Sequence, residues 1–374
     1  DVVTDLATSG WQLFPRAPTL ADVILARSRE PWVSLGLEGA EVASMRLGSI
    51  AILMGYPGAG KSTLAAALLR EHATLHGPAV YFSLELDADE LAARIVGMVA
   101  GRSWTDVLRG QVDVDYMRHA LPARLVILDG VSAADKIDAV VDNVRAEHGD
   151  RPVLVAVDYI QLASGMGTEL RQQIAAVAEA LRLAAKRLRI VMLGVSQTSR
   201  GTGNALRRGE LMGAETTTAG AESSAIERAA YITLAIGEAS APDDQGKQSV
   251  LVHVGKARFG GGDMALPMFY EGRTGRWTVA AAAVPAKDAK EAREAGKGDV
   301  ARRTMIAAAE ASEKPMSKTA LRAASKTSRE IADPALEQAI EDGALVKVGR
   351  GSYAPYWTPG RVATQPTRSW HDQD

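Results

Sequence analysis

Short, mostly apolar runs punctuate the chain at residues 50–54, 79–83, 124–128, 153–158 and 190–195. Runs of this length without polar alternation predict strands buried on both faces of a parallel sheet. Between them lie stretches with helical periodicity. These are an Ala/Leu-rich segment from Thr63 to Leu69, residues 88–101 and 133–147, and the series Leu170, Ile174, Val177, Leu181 and Leu188. Strand and helix alternate throughout, so the expected fold is α/β, with right-handed β-α-β units around a central, mostly parallel sheet. After residue 230 the pattern changes. Residues 231–236, 250–256, 265–270 and 276–279 read as strands separated only by turns, which predicts an antiparallel extension on one edge of that sheet.

The flanks read differently. Residues 1–47 carry Trp11, Phe14 and Trp32 and a short helical pattern at 18–26 with Thr19 as N-cap. This N-terminal arm is either a leader folded on its own domain or an arm docking on a neighbouring subunit. Residues 280–297 are Ala, Lys and Glu with little apolar content, a linker (drawn at 281–298) or a solvated helix. Beyond it, helices are expected at 300–311, 317–324 and 328–342, then a hairpin from 345–348 and 353–357. That arrangement, over 299–360, resembles a winged-helix domain. Lys318, Arg322, Lys326, Arg329, Lys347 and Arg350 would then face phosphates, unless the domain docks a protein partner instead. Residues 361–374 read as a disordered tail.

Composition narrows the classes. The 374 residues suit two domains or one large domain with an appendage, with 47% hydrophobic and 24% charged residues and a formal net charge of −2. A near-neutral total gives no long-range attraction for nucleic acid, so such binding must use local basic patches. The absence of cysteine excludes disulfides, thiolate zinc sites and iron–sulfur clusters. With no apolar run near 18 residues and no secretory signal, no membrane role and a cytoplasmic location are expected. The first residue is Asp1 rather than Met, which points to a few native residues missing from the start.

The candidate chemistry centres on Gly55-Tyr56-Pro57-Gly58-Ala59-Gly60-Lys61-Ser62-Thr63, between the first apolar run and the helical segment that follows. Strand, glycine loop and helix in that order make a phosphate-binding loop. Gly55, Gly58 and Gly60 let backbone N–H groups curl around an anion, and the helix N-terminus adds partial positive charge. Lys61 can reach β- and γ-phosphates, and the Ser62 hydroxyl can hold Mg²⁺. Asp158, at the tip of a buried strand, sits where α/β sheets place ligands and can hold Mg²⁺ through water. ATP and Mg²⁺ are the expected cofactors.

Further stretches share one pattern: Tyr81-Phe82-Ser83-Leu84-Glu85, Asp158-Tyr159-Ile160-Gln161-Leu162, Gly194-Val195-Ser196-Gln197, Glu222-Ser223-Ser224-Ala225-Ile226-Glu227 and Lys256-Ala257-Arg258-Phe259-Gly260. In this order and spacing, residues 48–280 resemble the ATPase domain of DnaB-type replicative helicases, a RecA-like fold. The resemblance implies a helicase or translocase driven by ATP on single-stranded DNA, working as a ring, expected to be hexameric, with 5′ to 3′ movement. It implies Glu85 as general base, Gln197 as γ-phosphate sensor, and Lys256 and Arg258 as cations reaching a neighbouring subunit's nucleotide. Loops at 163–168 and 198–221 would face the DNA, the second offering Arg200, Arg207 and Arg208. The 47 residues before the core leave no room for the helical N-terminal domain of bacterial DnaB proteins, so docking through it is not expected. The Lys256–Gly260 stretch also resembles RadA-type recombination ATPases, the alternative reading. A nucleotide-gated binding module is the third. The Ala-rich composition and minimal layout suit a phage or plasmid source.

Overall fold

The computed structural model describes residues 30–37, 40–130, 133–158, 160, 170–219, 228–258, 260–348 and 354–360. The chain divides into two compact units, parted between Val284 and Pro285.

The first unit opens with an antiparallel hairpin, β1 (Trp32–Leu37) and β2 (Ala40–Arg46). There follow β3 (Ser49–Gly55), α1 (Lys61–Leu75), β4 (Ala79–Ser83), α2 (Ala88–Ala100), two short helices α3 (Trp104–Leu108) and α4 (Val114–Ala120), and β5 (Leu125–Asp129). Next come α5 (Ala133–His148), β6 (Leu154–Asp158), α6 (Leu170–Leu188), β7 (Val191–Gln197), α7 (Arg200–Arg208) and a 3₁₀ segment, Gly213–Ala219. The antiparallel part is β8 (Ile232–Ala239), β9 (Lys247–Ala257), β10 (Met264–Glu271) and β11 (Arg276–Val279). The sheet order is β11-β10-β9-β8-β3-β7-β6-β4-β5. From β8 to β5 every pairing is parallel, and from β8 to β11 every pairing is antiparallel. The expected mixed sheet is therefore what forms.

Alternation along β3 accounts for the two layers. Ala51 and Leu53 belong to a core with Leu64, Leu68 and Leu69 of α1 and with Leu35 and Met45 of the hairpin. Ile50, Ile52 and Met54 point the other way, into a core with Ile137 and Val141 of α5 and Val177 and Leu181 of α6. A strand covered on both faces has no use for polar alternation, which is why its sequence is a continuous apolar run.

Several expectations change. Residues 32–46 of the expected N-terminal arm form a hairpin that follows the reading of a leader folded on its own domain, because Val33, Leu35, Leu37 and Met45 are buried in the core of the first unit. The helical pattern at 18–26 lies outside the described residues, as do Trp11 and Phe14. Residues 198–221 are not one open loop, since α7 and the 3₁₀ segment occupy much of them. Ser199 caps α7 by accepting the Thr202 N–H, Gly209 ends it in the left-handed region, and Leu206 is buried. Two caps and one anchor outweigh the poor helix propensity of Gly201, Thr202 and Gly203.

The second unit begins with α8 (Ala286–Ala311), a single helix running through most of the expected linker. Ala, Lys and Glu are strong helix formers, and Ala301, Met305 and Ala309 supply the buried stripe. Then come α9 (Lys318–Ser325), α10 (Arg329–Glu341) and a two-stranded antiparallel pair, β12 (Val346–Lys347) with β13 (Tyr356–Trp357). Arg322 makes two hydrogen bonds to Asp333, at 2.6 and 2.7 Å, and Arg329 and Lys318 converge on the same carboxylate. Arg350 and the tail at 361–374 lie outside the described residues.

Candidate nucleotide site

The P-loop leaves β3 at Gly55, a central strand, and enters α1 at Lys61. Gly58 and Gly60 adopt φ values of +78° and +84°, a region costly for any residue with a Cβ. Gly60 is the N-cap of α1. No side chain caps this end and no acid stands in its first turn, so its backbone dipoles favour an anion. Lys61 is 7% exposed, and its ammonium donates to the Tyr56 carbonyl at 3.1 Å. Burial lowers its pKa, while the nearby charges of Asp158 and Glu85 pull it back up. Those three residues therefore share one electrostatic neighbourhood.

Sheet order explains why. The strand ends beside the loop belong to β7, β6 and β4, all parallel to β3. Gln197 ends β7 and pairs directly with Gly55. Asp158 ends β6 and pairs with Ser83 of β4, and Glu85 follows two residues later, exposed to solvent. Asp158 itself is 1% exposed. Its Oδ2 accepts a hydrogen bond from the Tyr81 hydroxyl at 2.6 Å, and its Oδ1 has no hydrogen-bond partner. Burial raises its pKa, opposed by the Ser62 and Tyr81 hydroxyls and by Lys61. An orphaned buried carboxylate oxygen next to a serine hydroxyl suits a hard cation. Mg²⁺ takes few protein ligands and keeps waters and phosphate oxygens. No cluster of three or more His, Cys, Asp or Glu residues able to hold a metal occurs among the described residues.

Several residues at the site were legible in sequence only as strand positions. Trp277 of β11 donates its indole N–H to Thr63 Oγ1 at 3.2 Å, and Thr63 in turn donates to the Gly60 carbonyl at 2.7 Å. Tyr270 of β10 stacks on Trp277 with ring centroids 4.5 Å apart. A cavity of about 530 Å³ lies against the loop, lined by Tyr56, Pro57, Gly58, Arg207, Gln248 and Tyr270. A buried indole or phenol needs a partner for its polar atom, and that is the only sequence hint they gave.

The basic candidates separate. Arg207 sits over the Tyr56 ring, 5.9 Å from its centroid, and so belongs to the P-loop cavity. Arg208 pairs with Glu210, and Arg200 is exposed at the start of α7. Lys256 and Arg258 are not brought to this chain's own loop. The Arg258 N–H bonds to the Tyr231 carbonyl, and the Tyr231 N–H to the Ile50 carbonyl. Arg258 is therefore level with Ile50, five residues behind Gly55, or roughly 16 Å at about 3.3 Å per residue. Its guanidinium lies over the Tyr231 ring at 4.7 Å. The loop at 163–168 and the stretch Glu222–Glu227 lie outside the described residues.

A glycine loop on a central strand, with an acid and a glutamine on adjacent strand tips and an antiparallel edge, defines a P-loop protein of the RecA-like α/β class. The model of the DnaB-like helicase C-terminal domain family matches residues 40–278, and the chain belongs to that family. The replicative DNA helicase DnaB of Leifsonia xyli is 32% identical over 173 residues, 41% of this chain and 36% of that protein. Its Helicobacter pylori namesake is 25% identical over 167 residues, 42% of this chain and 34% of that protein. The chain thus spans about a third of the length of these relatives. A solved DnaB-like replicative helicase, determined with its interactions with primase, superimposes with a TM-score of 0.53 at 16% identity, over 62% of this chain and 57% of that one. At that identity the likeness establishes the fold. No helix among the described residues is long and apolar enough to cross a membrane.

Proposed function

We propose that the chain is an ATP-driven DNA helicase or translocase of the DnaB type, acting on single-stranded DNA in replication as a ring, hexameric by family resemblance. The supporting observation is the separation of charged groups along the sheet. The phosphate-binding loop, Asp158 and Glu85 gather at one end of the parallel strands, while Lys256, level with Ile52, sits roughly 10 Å behind and Arg258, level with Ile50, roughly 16 Å behind. One copy cannot close its own site with that pair, but a neighbouring copy can offer it.

In this reading the loop amides and Lys61 hold the triphosphate, and Asp158 with Ser62 holds Mg²⁺, which neutralises phosphate charge. Glu85, exposed at the strand tip, orients and deprotonates the attacking water. Gln197, paired with Gly55, senses the γ-phosphate and passes its loss to α7, which begins three residues later. Arg258 of a neighbour meets the charge that develops in the transition state. Arg200 and Arg208 contact the DNA backbone, whereas Arg207 is assigned to the nucleotide cavity. The second unit docks a partner, since Asp333 already engages Lys318, Arg322 and Arg329.

The test measures assembly mass with an ATP analogue and single-stranded DNA, then unwinding of a forked duplex on the same sample. A ring that unwinds the fork is expected. Lys61→Ala should abolish turnover, and Glu85→Gln should bind ATP yet turn over roughly 100-fold more slowly. Strand exchange without unwinding would move the assignment to recombination ATPases. A monomer hydrolysing ATP at full rate would end the motor reading.

A further inference from the structure

Tyr81 lies in the middle of β4, 1% exposed, paired with Ala156 of β6. Asp158 stands two residues beyond Ala156, on the same face of the sheet. The phenol reaches along that face and donates to Asp158 Oδ2 at 2.6 Å, the length of a charge-assisted O–H···O⁻ bond. A second, longer hydroxyl contact reaches the Ser62 carbonyl at 3.4 Å. A phenol has one proton, and the shorter contact takes it. Phenylalanine would fill the same space, so the hydroxyl is not there for packing. Its effect is to occupy one carboxylate oxygen and pin the group's rotation. Oδ1 is then left without a partner, buried beside Ser62 at the first turn of α1.

We propose that Tyr81 is a positioning residue for the nucleotide-bound Mg²⁺, holding the Asp158 carboxylate so that Oδ1 alone is presented to the ion's water shell. This rests on the nucleotide reading given above. Partners that orient a metal-binding carboxylate typically change metal affinity by 10- to 100-fold when removed. Tyr81 acts through Asp158, touching neither nucleotide nor ion.

The experiment titrates Mg²⁺ into the full chain holding a fluorescent ATP analogue, with a parallel binding curve in EDTA. Tyr81→Phe should raise the Mg²⁺ midpoint by about tenfold while leaving Mg²⁺-free affinity within about twofold. In an Asp158→Asn background the same change should add less than about twofold, because the group it positions is gone. An unchanged midpoint overturns the proposal. So does an equal loss with and without Mg²⁺, which would mean general damage to the site. A further tenfold loss in the Asp158→Asn background also overturns it. Wild-type protein that binds no triphosphate in either condition removes the nucleotide reading and this proposal with it.

Discussion

His72 stands on the P-loop helix at 1% exposure, its Nε2–H directed at the Pro152 carbonyl at 3.0 Å. Its Nδ1 is buried without a hydrogen-bond partner. Burial pushes its pKa down from 6.5 to about 4. Between those values the unfolded chain binds the proton and the folded chain does not, so stability rises with pH across that window. The contribution is complete above about pH 6.5 and is lost as pH falls towards 4. That difference is worth roughly 3 kcal/mol. His72→Gln should flatten the stability profile between pH 6.5 and 4.5, read from denaturant midpoints. An unchanged slope would assign the acid sensitivity elsewhere. At this scale the sequence was partly legible. Lys61, Ser62 and Asp158 announce themselves by type and spacing. His72, Tyr81 and Trp277 do not, because their roles come from what burial denies their polar atoms.

The P-loop and the edge strands beyond it form the next level. A Cβ on Gly60 would meet Trp277 Cζ2 at 2.9 Å and Tyr270 Cζ at 3.1 Å, and the residue holds φ at +84°. Gly58 has a similar φ of +78°, yet a Cβ there would meet nothing within 4 Å. The two positions separate conformational cost from crowding. Gly58→Ala should destabilise by about 1 kcal/mol, the cost of a left-handed conformation. Gly60→Ala should cost roughly 2–4 kcal/mol, since two stacked rings must also shift. Urea denaturation of both variants checks the difference, and equal losses would deny that β10 and β11 brace the loop. The element types themselves followed from periodicity. The helix at Arg200–Arg208 did not, because its sequence is poor in helix formers and only caps and the burial of Leu206 hold it. The helix at Ala286–Ala311 read equally as linker, since polar, Ala-rich sequence does not say what it packs on.

For the whole molecule, the proposed ring raises the question of which copy would supply which group. Arg258 is held behind its own P-loop by the β8–β9 register, with its guanidinium over Tyr231 and bonded to the Arg228 carbonyl. In the ring reading, Arg258→Ala and Lys61→Ala subunits are each inactive, but mixing them creates interfaces with an intact loop facing an intact arginine. Mixed assemblies should regain a fraction of wild-type ATPase, on the order of a quarter at equal ratio if subunits mix at random. Restoration absent from demonstrated mixed assemblies would leave Arg258 a structural role on Tyr231.

The sequence by itself determined the layered α/β architecture and the phosphate loop, because both depend on local properties. Apolar runs set the buried strands, helical spacing sets the helices, and glycine spacing sets the loop. Tertiary structure decided what requires strand order and register: that Gln197 neighbours Gly55, that Asp158 lies beside β4 and receives the Tyr81 hydroxyl, and that Arg258 is kept from its own site. Neighbours in a parallel sheet are joined by long crossovers, so the residues that meet at one strand tip are far apart in the chain, and no local pattern records the meeting.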